Sequence, residues 1–352
     1  MTEAANGFGE GRFIDPLLGA LSGEAAEQRV PAGVERGGHG GRAGTFEVWD
    51  GLPGEPGRDD ITYYEQPVLK EPVWLWVVPA YFYVGGLGGA CAVLGAAVQA
   101  SHSSRRLVNR CRWTTTVAVV LSTGLLVYDL GRPERFLNML RVFRRTSPMS
   151  VGSWVLAASG GTATGAALLS RNDGLLGSVG DLAGVGAGAL GMPLAGYTAV
   201  LLSSSAIPAW QEARTTLPLL FVASAVNAAA SLLDLMNLED DEARIVQRFG
   251  AAGRAAELVS GALLEREVAH LDRTARAFKE GVAGSLWRGS EGLAVISLVV
   301  GMLPGRSRLK RAVTGLAGSA AAAAAKFAVF HAGKASARDP RATFEAQRQD
   351  RS

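Results

Sequence analysis

One stretch of this chain carries its densest chemistry: Tyr128-Asp129-Leu130-Gly131-Arg132-Pro133-Glu134-Arg135-Phe136, followed by Ser147-Pro148-Met149-Ser150-Val151-Gly152-Ser153-Trp154. A carboxylate, a Gly-Arg-Pro turn and several guanidinium groups stand between two long apolar runs. Ionisable groups held where apolar spans end are costly to keep there, so a functional role is their default reading. Asp129 is the first candidate for relaying protons. The plainer alternative is that Asp129 pairs with Arg132 or Arg135 to fix the turn. Proton and electron handling at a membrane, rather than soluble catalysis, is the chemistry these residue types suit.

The elements that must position them are long and apolar. The chain has 352 residues, 48% of them hydrophobic, with 45 glycines. Its mean hydropathy of +0.17 understates this, because the polar residues are gathered at the N-terminal end. Residues 1–70 are polar and rich in Gly and Pro, and read as a mostly irregular arm. Residues 71–336 read as a transmembrane helical bundle, and 337–352 as a polar tail. The fold class expected is all-α and polytopic. The runs lie near 72–100, 112–128, 149–169, 182–207, 216–238, 245–269, 287–303 and 312–332, each near the ~20 residues that cross ~30 Å of hydrocarbon. The sixth is the ambiguous one, since it carries Arg248, Arg254, Glu257, Glu265, Arg266 and Glu267. Buried in the bundle, it could pair Arg254 with Glu257 at i, i+3. Lying at the interface instead, it would leave seven spans rather than about eight.

Other classes are excluded by composition. A sequence pI of about 9.0 invites nucleic acid, but the arginines sit in short loops between apolar runs, as in membrane proteins. The two cysteines, Cys91 and Cys111, are too few for an iron–sulfur cluster and read as small apolar residues. Of the histidines, His39 lies in a Gly-rich arm, and His102, His270 and His331 fall near helix ends, which argues against haem b. No nucleotide or zinc motif is present, and no metal ligand set is expected. Residues 1–10 lack the basic and apolar regions of a secretory signal, so the first span is expected to direct insertion. Arg-rich loops at 129–148 and 266–286 and the C-terminal tail outweigh Arg105, Arg106, Arg110, Arg112 and the run 306–311. Both termini are therefore expected in the cytoplasm, with the chain multi-pass in the inner membrane.

The hairpin, with Asp129-Leu130-Gly131-Arg132-Pro133 and Ser147-Pro148-Met149-Ser150-x-Gly152-x-Trp154, resembles the NrfD/PsrC family of membrane subunits of polysulfide-reductase-type complexes. Residues 67–90, the stretch Ile207-Pro208-Ala209-Trp210 with Leu217-Pro218-Leu219-Leu220-Phe221, and Phe327 to Arg348 add support. The resemblance implies a subunit that reacts with quinone (menaquinone is the carrier expected) and holds no haem or metal of its own. It implies a four-cluster ferredoxin-like iron–sulfur partner and, beyond it, a catalytic subunit of molybdopterin type. Such a chain is not catalytic alone.

Quinone reduction takes up protons that lipid cannot supply. Asp129, Arg132 and Arg135 are the candidates for relaying protons and stabilising a semiquinone; the arginines could equally bind lipid phosphate. Tyr128, Tyr81, Tyr83 and Ser150 are candidate donors to the quinone carbonyls, although Tyr81 and Tyr83 also suit interface anchoring. Asp234, Glu257, Glu291 and Lys326 lie in or near spans and form a candidate proton path, with pairing for packing as the alternative. Two other functions compete. A secondary transporter would suit Gly-rich, Pro-interrupted spans, but no two-half repeat is visible in the sequence. A passive anchor would hold a reductase at the membrane without a quinone site.

Overall fold

The structure is a computed structural model, and it describes residues 12–15, 20–23, 68–130, 138–305 and 307–349. The chain divides into two units, Met1–Thr62 and Tyr63–Ser352. In the first, β1 (Arg12–Asp15) pairs antiparallel with β2 (Ala20–Gly23), Arg12 facing Gly23 and Asp15 facing Ala20.

The second unit is helical. Its long helices are α1 (Val77–Ala100), α2 (Arg105–Asp129), α3 (Pro148–Leu169), α4 (Leu175–Ser203), α6 (Leu217–Asp234), α7 (Asp240–Val268), α9 (Gly281–Met302) and α10 (Arg308–Arg338). Short helices α5 (Pro208–Glu212), α8 (Asp272–Lys279) and α11 (Pro340–Gln349) lie between or after them. The eight long helices follow the order of the expected runs. Five of them, α1, α2, α4, α6 and α10, are long and apolar enough by composition to cross a membrane. The other three, α3, α7 and α9, have 22, 29 and 22 residues and pack into the same assembly.

Four of the long helices, α2, α3, α7 and α10, start where the sequence supplies caps. Ser104 Oγ accepts from Leu107 N–H at 3.1 Å, Ser147 Oγ from Ser150 N–H at 3.3 Å, and Ser307 Oγ from Lys310 N–H at 3.0 Å. Each satisfies an amide that the first turn leaves without a helical partner. At α7, Glu239 and Glu242 form a reciprocal capping box, and Asp240, Asp241 and Glu242 put negative charge on the positive end of the helix.

The long helices form two four-helix groups with the same packing order. In the first, α1 meets α2, α2 meets α3, α3 meets α4, and α4 returns to α1. In the second, α6 meets α7, α7 meets α9, α9 meets α10, and α10 returns to α6. The two groups share this packing order although no two-half repeat is visible in the sequence. The groups join through α1, which also packs against α6 and α10, and through α4, which packs against α6.

Glycines let α1 take that central place. A Cβ on Gly89 would fall 2.4 Å from the Gly191 carbonyl oxygen, and one on Gly191 would fall 2.4 Å from that of Gly89. The α1 and α4 backbones therefore touch, the close approach that small residues permit in lipid. Gly85 and Gly88 of α1 face α2, and Gly86 faces α6.

The ambiguous sixth run is a bundle helix. α7 packs between α6 and α9 and buries Arg254 and Glu257 at 1% and 4% exposure. Arg112 also differs from its reading as a loop charge. It lies inside α2, buried, and donates to Asp181 Oδ1 of α4 and to Gln99 Oε1 of α1, both at 2.9 Å.

Candidate functional site

The first site is the end of α2. Asp129 is its last residue, half-buried, and its Oδ1 accepts a hydrogen bond from Leu75 N–H at 3.3 Å. The carboxylate is thus fixed against the segment that leads into α1. Arg132 and Arg135 lie outside the described residues. Tyr128 is 68% exposed and faces out of the bundle, whereas Asp129 is half-buried. Ser150 is engaged in the loop: its Oγ accepts from Arg144 N–H at 3.1 Å and donates to the Val142 carbonyl at 3.2 Å.

The two tyrosines of α1 go to different places. Tyr81 is buried in a cluster with Phe82, Leu156, Trp210 and Phe221, while Tyr83 packs against the separate cluster around Cys91 and Cys111. They do not bracket one ring. Sequence reasoning missed Ser122, which is fully buried on α2 with no protein partner for its Oγ. A Cβ on Gly85 would meet both Ser122 Oγ at 3.3 Å and the Tyr81 ring at 4.0 Å. Ser122 of α2 and Tyr81 of α1 therefore both lie beside Gly85, on the helix pair of which α2 ends at Asp129 and α1 follows Leu75.

The second site lies inside the second helix group. Arg254 Nη2 donates to Asp234 Oδ2 at 3.1 Å and to Ser231 Oγ at 3.2 Å, and Arg254 Nε donates to Asn227 Oδ1 at 3.1 Å. Its direct carboxylate partner is Asp234 of α6, not Glu257 one turn along its own helix. Asn227 Nδ2 donates to Glu257 Oε2 at 2.6 Å and to the Gly318 carbonyl at 3.1 Å. Gly318 makes room for this, since a Cβ there would stand 2.1 Å from Ser231 Oγ and 2.7 Å from Asn227 Oδ1. Lys326 is buried nearby; its Nζ donates to the Phe221 carbonyl at 3.0 Å and sits 3.5 Å from the centre of the Phe221 ring.

Asp234 and Glu257, singled out as separate charges in apolar runs, are thus joined through Arg254 and Asn227, with Lys326 buried nearby against Phe221. Glu257 and Glu291 both line a cavity of about 10 Å³ with Trp287 and Ser290, room for one water molecule. Glu257 Oε1 has no protein partner. Trp287 Nε1 donates to Glu265 Oε1 at 2.8 Å on the same side. Asn227, Ser231 and Gly318 escaped the sequence reading because amide, hydroxyl and glycine residues are ordinary in apolar helices.

Among the described residues, no group of three or more His, Cys, Asp and Glu side chains converges as metal ligands. Cys91 and Cys111 are buried and free.

The fold and these sites define a polytopic helical membrane protein with ionisable side chains packed inside it. Residues 65–169 match the family model described as Polysulphide reductase, NrfD. The match takes in α1, the Asp129 hairpin and α3, and the resemblance read from the hairpin stands over those residues. No curated protein matches the chain.

Proposed function

We propose that this chain is the quinone-reactive membrane subunit of a respiratory oxidoreductase complex. It exchanges electrons between the quinone pool, menaquinone in the first place, and the clusters of a four-cluster ferredoxin-like partner, with linked proton transfer. A molybdopterin-type catalytic subunit lies beyond the partner. The complex sits in the inner membrane with both termini of this chain in the cytoplasm. One observation carries the reading: the NrfD-type match covers the hairpin whose carboxylate, Asp129, is held at the end of a membrane helix.

The residues present suit a quinone head group, which needs a proton source and hydroxyl donors. Asp129 holds or releases a proton at its carboxylate, with Oδ1 oriented by the Leu75 amide. Tyr81, buried beside Gly85 as Ser122 is, supplies a hydroxyl on the bundle side. Tyr83 and Ser150 are weaker donors, since Ser150 already serves the loop. Tyr128 contributes from the outer face. Arg132 and Arg135 offset the negative charge that electron transfer brings. In the second helix group Asp234, Glu257, Lys326 and Glu291 pass protons between bundle and surface.

Asp129→Asn keeps the shape of the side chain and removes its proton. Quinone turnover by the purified complex is expected to fall by about 100-fold or more and to lose its dependence on a carboxylate in its pH profile. Unchanged turnover with an unchanged profile would remove Asp129 from the reaction. The twin helix groups with a charged interior also suit a transporter. Co-purification of an iron–sulfur protein with this chain separates the two readings.

A further inference from the structure

A groove of about 390 Å³ opens on the surface where α7, the end of α9 and the start of α10 come together. Gln247, Arg248 and Ala251 of α7 form one wall. Gly301, Met302 and the turn Leu303-Pro304-Gly305 form the other, with Lys310 of α10 closing it. Among the described residues, two cations line the groove and no acidic residue does. Arg248 is exposed, and among the described residues it makes no ion pair. The nearest acids along α7 are already engaged: Glu239 with Arg106, Asp241 with Arg244, and Glu242 with Arg110 and Ser104. Lys310 donates to the Leu303 and Gly305 carbonyls and so offsets the negative end of α9.

A third cation lies behind the floor. A Cβ on Gly301 would stand 3.5 Å from Arg254 Nη1, so the groove is separated from the buried Arg254 guanidinium by little more than a glycine backbone. Beside these charges the surface is apolar: Met302 is 70% exposed, Leu303 53% and Leu309 73%. These apolar side chains lie around the last residues of α9 and the first of α10, where the apolar runs 287–303 and 312–332 read from the sequence end and begin.

We propose that this groove binds an anionic phospholipid, its phosphate between Arg248 and Lys310 and its acyl chains along Met302, Leu303 and Leu309. A basic pocket between membrane helices at head-group depth is what a lipid phosphate recognises. Apolar side chains in the same surface distinguish a lipid from a free anion, which would gain nothing from them. The negative phosphate then lies across Gly301 from Arg254. The lipid thereby sits at the outer end of the Asp234–Arg254–Asn227–Glu257 cluster. The site depends on neither the quinone reading nor the hairpin.

The test uses the purified protein in nanodiscs of phosphatidylcholine alone and of phosphatidylcholine mixed with phosphatidylglycerol, with bound lipid counted by native mass spectrometry and unfolding followed by heat. The wild type is expected to retain phosphatidylglycerol over phosphatidylcholine and to unfold at a higher temperature in its presence. Arg248→Gln, which alters an exposed side chain that makes no ion pair among the described residues, is expected to weaken that preference about fivefold. Arg171→Gln, which changes an exposed arginine outside the groove, is expected to leave it intact. Four results would overturn the proposal: no preference in the wild type, full preference in Arg248→Gln, an equal loss in Arg171→Gln, or the same stabilisation from inorganic phosphate alone.

Discussion

Arg254 shows how one side chain can commit a membrane bundle. It spends its donors on Asp234, Ser231 and Asn227, all on α6, and Asn227 carries the connection on to Glu257 and to α10. Replacing one partner of a buried pair leaves the other charge uncompensated, at about 3–5 kcal/mol. Arg254→Leu is therefore expected to lower the thermal unfolding midpoint sharply. Arg254→Leu with Asp234→Leu should recover much of the loss, because no orphan charge remains. Equal midpoints for the single and double variants would mean the pair does not stabilise the fold as described. The charges here were legible, since Asp234, Glu257 and Lys326 interrupt apolar runs. Their partners were not. Helical spacing suggested Arg254 with Glu257, but the guanidinium crosses to α6, and a pairing between helices has no signature along the chain. At the hairpin the same limit applies: Asp129 stood out, whereas Ser122 and the outward direction of Tyr128 depend on how α2 is turned.

At the scale of elements, the crossing of α1 and α4 at Gly89 and Gly191 sets backbone directly against backbone. Gly89→Val would drive a side chain into the α4 backbone, and overpacking of this kind costs about 1–3 kcal/mol or more. Gly124 of α2 is the control, because a Cβ there meets nothing within 4 Å, and Gly124→Ala is expected to be neutral or stabilising. Detergent-solubilised protein should yield folded Gly124→Ala and poorly folded Gly89→Val; equal yields would contradict the close crossing. Gly85-Gly86 and Gly88-Gly89 of α1 are small residues of the kind that let helices approach closely, but nothing along the chain says which helix each glycine meets. α7 was hard to read for a different reason. Its charges are divided between a buried strip with Arg254 and Glu257 and an exposed strip with Arg248, so average hydropathy hides a helix that the bundle accepts. The short α5 and α8 fell inside connections, where Pro208 and Asp272 start helices too brief to show periodicity.

Across the whole molecule, the start and end of the described bundle are tied together. Glu71, ahead of α1, accepts from Arg338 at 2.7 Å and pairs with Lys334 at 3.0 Å near the end of α10. Burial alone would raise the Glu71 carboxyl, but its bonds to Arg338 and Lys334 outweigh burial and hold it below the usual carboxylate range. A carboxylate lowered in the folded state contributes stability above its unfolded pKa and loses it as pH falls through the folded one. A spin label on Val68→Cys, with Cys91 and Cys111 buried and out of reach, should therefore be restrained at neutral pH and loosen only in acid below that range. A label equally mobile at both pH values would mean the tie does not hold the segment. The tie brings the approach to α1, the segment whose Leu75 amide orients Asp129, against the C-terminal end of α10. The claim at the centre of this account is that electrons cross between a quinone and iron–sulfur clusters by way of this chain. The direct measurement is the redox state of those clusters, followed by electron paramagnetic resonance in the purified complex as menaquinone or its quinol is added. Clusters that respond in the complete complex and fall silent when this chain is absent are the predicted result. Clusters that respond equally without it, or never respond to quinone, would contradict it.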